Sequence, residues 1–124
     1  MANLRNIPLH TVPVLHPSAT LAEAERLATE EPLGVVVLVG DGQYMGVFSR
    51  ADMETDLIPR GADHELLAVG PYASTPNQVG RPDMDVETAL EEMDRRQVNV
   101  LPYVEGKIYR GLITRSVLEE HFGE

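Results

Sequence analysis

The sequence predicts a mixed α/β (α+β) fold of two tandem repeats, each running extended lead-in, helix, strand, strand, helix. Three observations predict it. First, the chain aligns on itself at a shift of 65 residues, the separation of Gly46 and Gly111. The same shift places Val14 on Val79, Pro17 on Pro82, Ala24 on Ala89, Val35 on Val100, Val39 on Val104, Tyr44 on Tyr109 and Arg50 on Arg115. Second, helix-start chemistry recurs at that shift, with Thr20 and Asp85 at equivalent N-cap positions. Third, each predicted helix is followed by two β-branched runs around a glycine turn.

Taken in order, Thr20 with Glu23 forms a capping box, and Leu21, Ala24, Leu27 and Ala28 follow at helical spacing. Leu33 to Val39 is a short apolar run suited to a strand buried on both faces, closed by the turn Gly40-Asp41-Gly42, with Tyr44 to Phe48 returning. A short helix begins at Ser49. In the second half Asp85 caps a helix whose apolar stripe is Val86, Ala89, Leu90 and Met93. Val98 to Val104, the turn Glu105-Gly106-Lys107 and Ile108 to Ile113 form the second strand pair, and a helix begins at Thr114. Pro102 lacks the N–H that a central ladder needs, so a break or an edge position is expected there. The predicted organisation is residues 1–57 as first repeat, 58–75 as a Pro- and Gly-rich connection, and 76–124 as second repeat, all in one compact module.

Composition narrows the function. A chain of 124 residues with 43% hydrophobic residues supports one compact core. Twenty acidic against ten basic side chains give a net charge of −10, which opposes nucleic-acid and membrane-surface binding. Zero cysteine removes disulfides, thiol nucleophiles and thiolate metal sites. Met1 to Arg5 lack the apolar run of a secretory leader, and no 18 apolar residues follow one another, so a cytoplasmic location is expected. His10, His16, His64 and His121 have no ligand spacing, and no metal site is expected. The doublets Glu30-Glu31, Glu91-Glu92 and Glu119-Glu120 read as solvated helix faces, not acid and base pairs. With no nucleophile elbow and no Gly-rich loop bearing a Lys, an enzyme is not expected.

One stretch carries more information. Gly46-Val47-Phe48-Ser49-Arg50-Ala51-Asp52 has the pattern Gly, hydrophobic, any, Ser or Thr, any, any, Asp, and Gly111-Leu112-Ile113-Thr114-Arg115-Ser116-Val117 repeats it with Val117 in place of the acid. Asn99 to Lys107 adds a strand with Leu101-Pro102 ahead of a turn. On these residues, from about Leu9 to Phe122, the chain resembles the cystathionine-β-synthase-type (CBS) domain pair, or Bateman module. The resemblance implies two α/β units about a pseudo-two-fold, with clefts that in many members bind AMP, ADP, ATP or S-adenosylmethionine. It also implies a regulatory role without catalysis, an unnamed target protein, and homodimers formed through the helices.

Carried onto this sequence, the resemblance nominates Ser49 and Asp52 with Thr114 for ribose and phosphate, and the strand start Val98, Asn99 and Val100 for the adenine site, while Arg50 and Arg115 are candidates for phosphate by their charge. Tyr72 is a candidate for stacking on the base. The chemistry suits these types: a carboxylate accepts from both hydroxyls of a ribose, and Arg supplies charge for phosphates. The same residues also read as plain helix starts, with Ser49 or Thr114 as cap and Asp52 favoured by the dipole. Both readings of Ser49 and Asp52 stand at this point, whereas Val117 leaves the second copy without an acid and makes one competent site the expectation. The alternative is a ligand-free dimerisation scaffold.

Overall fold

The computed structural model describes residues 3–54, 58–74 and 79–122. The chain falls into two compact units, a first unit of Val12–Pro76 and a second unit of Met1–Thr11 with Asn77–Glu124. The compact units are therefore offset from the sequence repeats: the leading segment belongs with the second repeat, and the connection belongs with the first.

In the first unit, β1 (Val14–Leu15) lies parallel to β2 (Val35–Gly40), and β2 pairs antiparallel with β3 (Gln43–Ser49). Asp41 and Gly42 both take positive φ, 53° and 80°, as a two-residue hairpin whose twist matches its strands requires. Helix α1 (Leu21–Glu30) begins where the sequence places it, with the Glu23 N–H donating to Thr20 Oγ1 at 3.2 Å. After Ser49 the chain makes a five-residue 3-10 turn, Arg50–Glu54, where a short helix was expected. Residues 58–74 return across α1: the Leu21 N–H donates to Leu67 O, and the Val69 N–H to Ala19 O.

The second unit repeats this plan. Helix α2 (Val86–Arg96) leads to the hairpin β4 (Val100–Glu105) and β5 (Ile108–Thr114), then to α3 (Arg115–His121). Its leading segment re-creates the contact that residues 58–74 make in the first unit, since the Leu4 N–H donates to Met84 O as Val69 does to Ala19. Pro102 sits inside β4 without ending it. β4 is flanked on its other side by Gly80, whose N–H donates to Pro102 O at 2.7 Å and whose carbonyl accepts from the Val104 N–H at 2.9 Å. The proline thus uses its acceptor where its missing donor is not needed. A bulge does fall beside it, between Tyr103 and Val104, but the first hairpin has the same bulge between Leu38 and Val39 with no proline. The irregularity belongs to the repeat and not to Pro102.

The two cores match position by position. Leu21, Ala24, Ala28, Val36, Leu38, Phe48 and Val69 fill the first. Their counterparts Val86, Ala89, Met93, Leu101, Tyr103, Ile113 and Leu4 fill the second, with Ile7 and Leu118. Volume is redistributed within each set: the large Phe48 shares the first core with the small Ala28, and the smaller Ile113 shares the second with the larger Met93. Close packing requires this kind of compensation when a duplicated core drifts.

The two N-caps differ in charge. Asp85 Oδ1 accepts from the Thr88 N–H at 2.7 Å, and hydrogen bonding from the Thr88 backbone, then from its side chain, holds the Asp85 carboxyl below the usual carboxylate range. A carboxyl lowered by folding stabilises the fold above its unfolded pKa, and that contribution disappears as pH falls through the folded value. Asp85→Ser keeps a cap without the charge. It is expected to flatten the pH dependence of the urea midpoint below about pH 4 while changing it little at pH 7.

Candidate ligand-binding site

In the first unit, Ser49 and Asp52 are brought together at the end of β3. Asp52 Oδ2 accepts from the Ser49 N–H at 2.8 Å and from Ser49 Oγ at 3.1 Å, and Asp52 Oδ1 accepts from Ser74 Oγ at 3.0 Å. Ser74 is positioned by an antiparallel bridge to Val47, with the Val47 N–H donating to Ser74 O and the Ser74 N–H to Val47 O. The result is a half-buried carboxylate that faces two rotatable hydroxyls and is oriented by one fixed N–H. Because the Ser49 amide donates to Asp52, the 3-10 turn is organised around an acceptor. An ionised carboxylate is an acceptor only, and the two serine hydroxyls that donate to it are free to rotate.

Arg50, nominated for phosphate, is committed elsewhere. Its Nε donates to Ala28 O at 3.0 Å, and its Nη2 donates to Thr29 O at 3.2 Å and Glu31 O at 2.6 Å. These carbonyls close α1, so the guanidinium acts as a cationic clamp on the negative end of that helix. Tyr72 lies in a 3-10 turn, Gly70–Tyr72, with its half-buried ring packed against the first core.

The second unit carries the other nominated residues in a different arrangement. Thr114 caps α3, its Oγ1 accepting from the Val117 N–H at 3.4 Å. Arg115 repeats the clamp: Nε donates to Asn99 Oδ1 at 3.2 Å, Nη1 to Asp94 Oδ1 at 2.5 Å and Nη2 to Val98 O at 3.0 Å. Val98, Asn99 and Arg115 thus form one cluster, and Val100 opens β4 opposite Thr114. Where Asp52 stands in the first unit, Val117 packs against the second core. At the bridge position that Ser74 takes against Val47, His10 faces Leu112. The acceptor site is therefore built in the first unit, and its counterpart is rebuilt as cap and core.

Sequence reasoning missed Ser74. It lies 22 residues beyond Asp52 in a stretch read as connection, and no periodicity marks it. Tyr44 and Tyr109, superposed by the 65-residue shift, occupy equivalent half-buried positions, and burial pushes the Tyr109 phenol up to about 12, which keeps it neutral at ordinary pH. Among the described residues no group of three His, Cys, Asp or Glu side chains could hold a metal ion. No described helix is long and apolar enough to cross a membrane.

Comparison with known proteins agrees with this architecture. The family described as CBS domain matches twice, over residues 4–55 and 69–121. The CBS domain-containing protein YhcV of Bacillus subtilis (strain 168) is 25% identical over 113 residues, which cover 91% of this chain and 80% of that protein. Among solved structures, Hypoxic Response Protein I with two coordinated zinc ions superposes with a TM-score of 0.81 at 18% identity, covering 98% of this chain and 100% of that one. The CBS domain of a bacterial CNNM/CorC family Mg2+ transporter in complex with ATP gives 0.73 at 21% identity, covering 96% and 85%.

Proposed function

The chain belongs to the CBS domain family, and on that premise we propose that it is a regulatory module that senses an adenosine nucleotide (AMP, ADP or ATP) or S-adenosylmethionine and passes occupancy to a partner protein. The observation that carries the reading is the Asp52 carboxylate held by the Ser49 and Ser74 hydroxyls, an arrangement that supports it as the acceptor for a ribose diol. The ATP complex of the CNNM/CorC relative supports the ligand class. The Asp52 site requires no charge on the ligand, since a ribose is recognised through its hydroxyls.

Ligand that binds only the folded state raises stability by RT ln(1 + [L]/Kd), about 2.7 kcal/mol at a hundredfold excess over Kd. The melting temperature is expected to rise by several degrees with at least one of the four ligands, and the rise is expected to vanish in Asp52→Ala. Absence of any rise at millimolar concentration in the wild-type chain would sink the proposal. A second reading, a ligand-free homodimerisation scaffold, is favoured by one observation, the packing of a half-buried Val117 against the second core where an acid would stand. Light scattering separates the two, because a stable dimer indifferent to all four ligands selects the scaffold.

A further inference from the structure

We propose that the turn end of the β4–β5 hairpin docks a short acidic segment of a partner protein, held by Arg5, Arg81, Lys107 and Arg110 around an exposed Ile108. All four cations are exposed, and they are four of only ten in a chain of net charge −10. Arg81 Nη1 donates to Gly106 O at 3.3 Å, which brings its head to the turn beside Lys107. Arg110 Nε stands 3.5 Å from Glu105 Oε1 at the start of the same turn. Arg5 joins them near Tyr103: burial, then Glu105, push the Tyr103 phenol up, and Arg5 and Arg110 both act to lower it. Ile108, between Lys107 and Arg110 in the chain, is 40% exposed. The nearby acids do not cancel the patch. Asp85 is turned into its own helix start, accepting from the Thr88 N–H, and four cations against Glu105 and Asp83 leave a positive surface.

The first unit builds the same hairpin end without these charges. At the 65-residue shift the counterparts of Arg5, Arg81, Lys107 and Arg110 are Gly70, His16, Gly42 and Met45, and Gln43 stands for Ile108. A side chain at Gly40, the counterpart of Glu105, would meet Met45, Pro17 and His16, each within 4 Å. The Gly70 N–H donates to Pro17 O at 3.0 Å. The fold therefore gathers these positions at one place, and the second unit alone fills them with cations and an apolar side chain. The strand pairing does not require them, because β2 and β3 pair in the same register, with the same bulge, in their absence.

Charge and reach identify the occupant. The field of exposed charges fades within about 8–10 Å at physiological salt, so a short acidic segment feels the patch and little else. A nucleic acid or an anionic membrane would extend past it onto a surface whose overall charge is strongly negative. A second copy that offered one of its acidic surfaces to the patch would make a heterologous contact, which extends without closing on itself. A partner segment with Asp or Glu around one large apolar side chain satisfies both the cations and Ile108.

The test is an anisotropy titration of the full chain with a labelled peptide of Asp and Glu around one Leu, alongside a twin with Lys in place of its acids. Arg81→Glu with Lys107→Glu is expected to weaken binding of the acidic peptide about tenfold or more, and Ile108→Gln, which installs the first unit's residue, about threefold. Arg26→Glu with Arg60→Glu, an equal charge change at exposed positions of the first unit, is expected to weaken it no more than about twofold. The Lys twin is expected not to bind, and thermal melts are expected to show every variant folded, because the altered side chains are exposed. No binding of the acidic peptide, equal weakening by the two charge reversals, or no effect of Ile108→Gln would each overturn the proposal. A single-stranded RNA or phosphatidylserine vesicles that bind more tightly than the peptide, and lose that affinity in Arg81→Glu with Lys107→Glu, would assign the patch to that polyanion instead. Light scattering that shows assemblies dissolved by the same pair would make it a self-interface and overturn the proposal as well.

Discussion

Truncation of Phe48 to alanine is expected to destabilise the fold by about 3–5 kcal/mol, the largest effect of any single substitution considered. Phe48 is fully buried and is the largest of the fully enclosed side chains among the described residues. It pairs with Val36 across the hairpin and shares its core with Leu21, Ala24 and Ala28 of α1. Two of those helix neighbours are alanines with no length to fill a void, and the third is already in place, so the cavity persists. A loss of that size removes about a fifth or more of the stability of an ordinary small domain and shows as a large fall in urea midpoint. The second unit supplies a sharper version of the experiment. It solves the same packing problem with Ile113 and Met93, so Phe48→Ile and Ala28→Met are each expected to be costly alone and to recover part of the loss together. Strict additivity across that cycle would mean the two side chains do not share the space.

How much of this was legible in the sequence depends on how local the cause is. Helix starts at Thr20 and Asp85 were legible because a cap bonds within three residues, and the hairpin at Asp41-Gly42 because its turn requires those types. Pairing of Ser49 with Asp52 was legible for the same reason. The partners supplied from a distance were not. Ser74 reaches Asp52 through a bridge to Val47, and Arg50 reaches back about twenty residues to the end of α1; neither leaves a pattern in composition or spacing. Arg50 was nominated for phosphate because Arg beside a hydroxyl at a helix start fits that chemistry. The carbonyls closing α1 compete for the same guanidinium, and only the fold reveals them. The offset of the compact units from the repeats has a similar origin. Leu4 and Val69 each have one strong signal, hydrophobicity, which says that they are buried and not against which helix.

Gly34→Ala is the other substitution with a large expected cost, about 2–3 kcal/mol, and it tests the clamp directly. Gly34 sits at φ +69°, where a Cβ costs about 1–2 kcal/mol, partly offset because alanine restricts the unfolded chain. That Cβ would also stand 3.0 Å from Cδ and Nε of Arg50. The head of Arg50 cannot simply swing away, because doing so strips hydrogen bonds from Ala28 O, Thr29 O and Glu31 O, at about 1–3 kcal/mol. The second unit avoids the conflict by placing its left-handed residue two positions earlier, at Gln97 with φ 56°, which leaves Asn99 at the counterpart of Gly34 free to accept from Arg115. The pair is therefore coupled in the first unit. Arg50→Ala removes the clamp and the clash together, so Gly34→Ala is expected to cost distinctly less in that background than in the wild type, with only the backbone strain remaining. Arg50→Lys is expected to behave like Arg50→Ala, since one ammonium cannot reproduce a fork that serves three carbonyls. Urea midpoints across the four proteins of the Gly34/Arg50 cycle measure the coupling, and equal costs of Gly34→Ala in both backgrounds would show that strain at φ +69° is the whole effect.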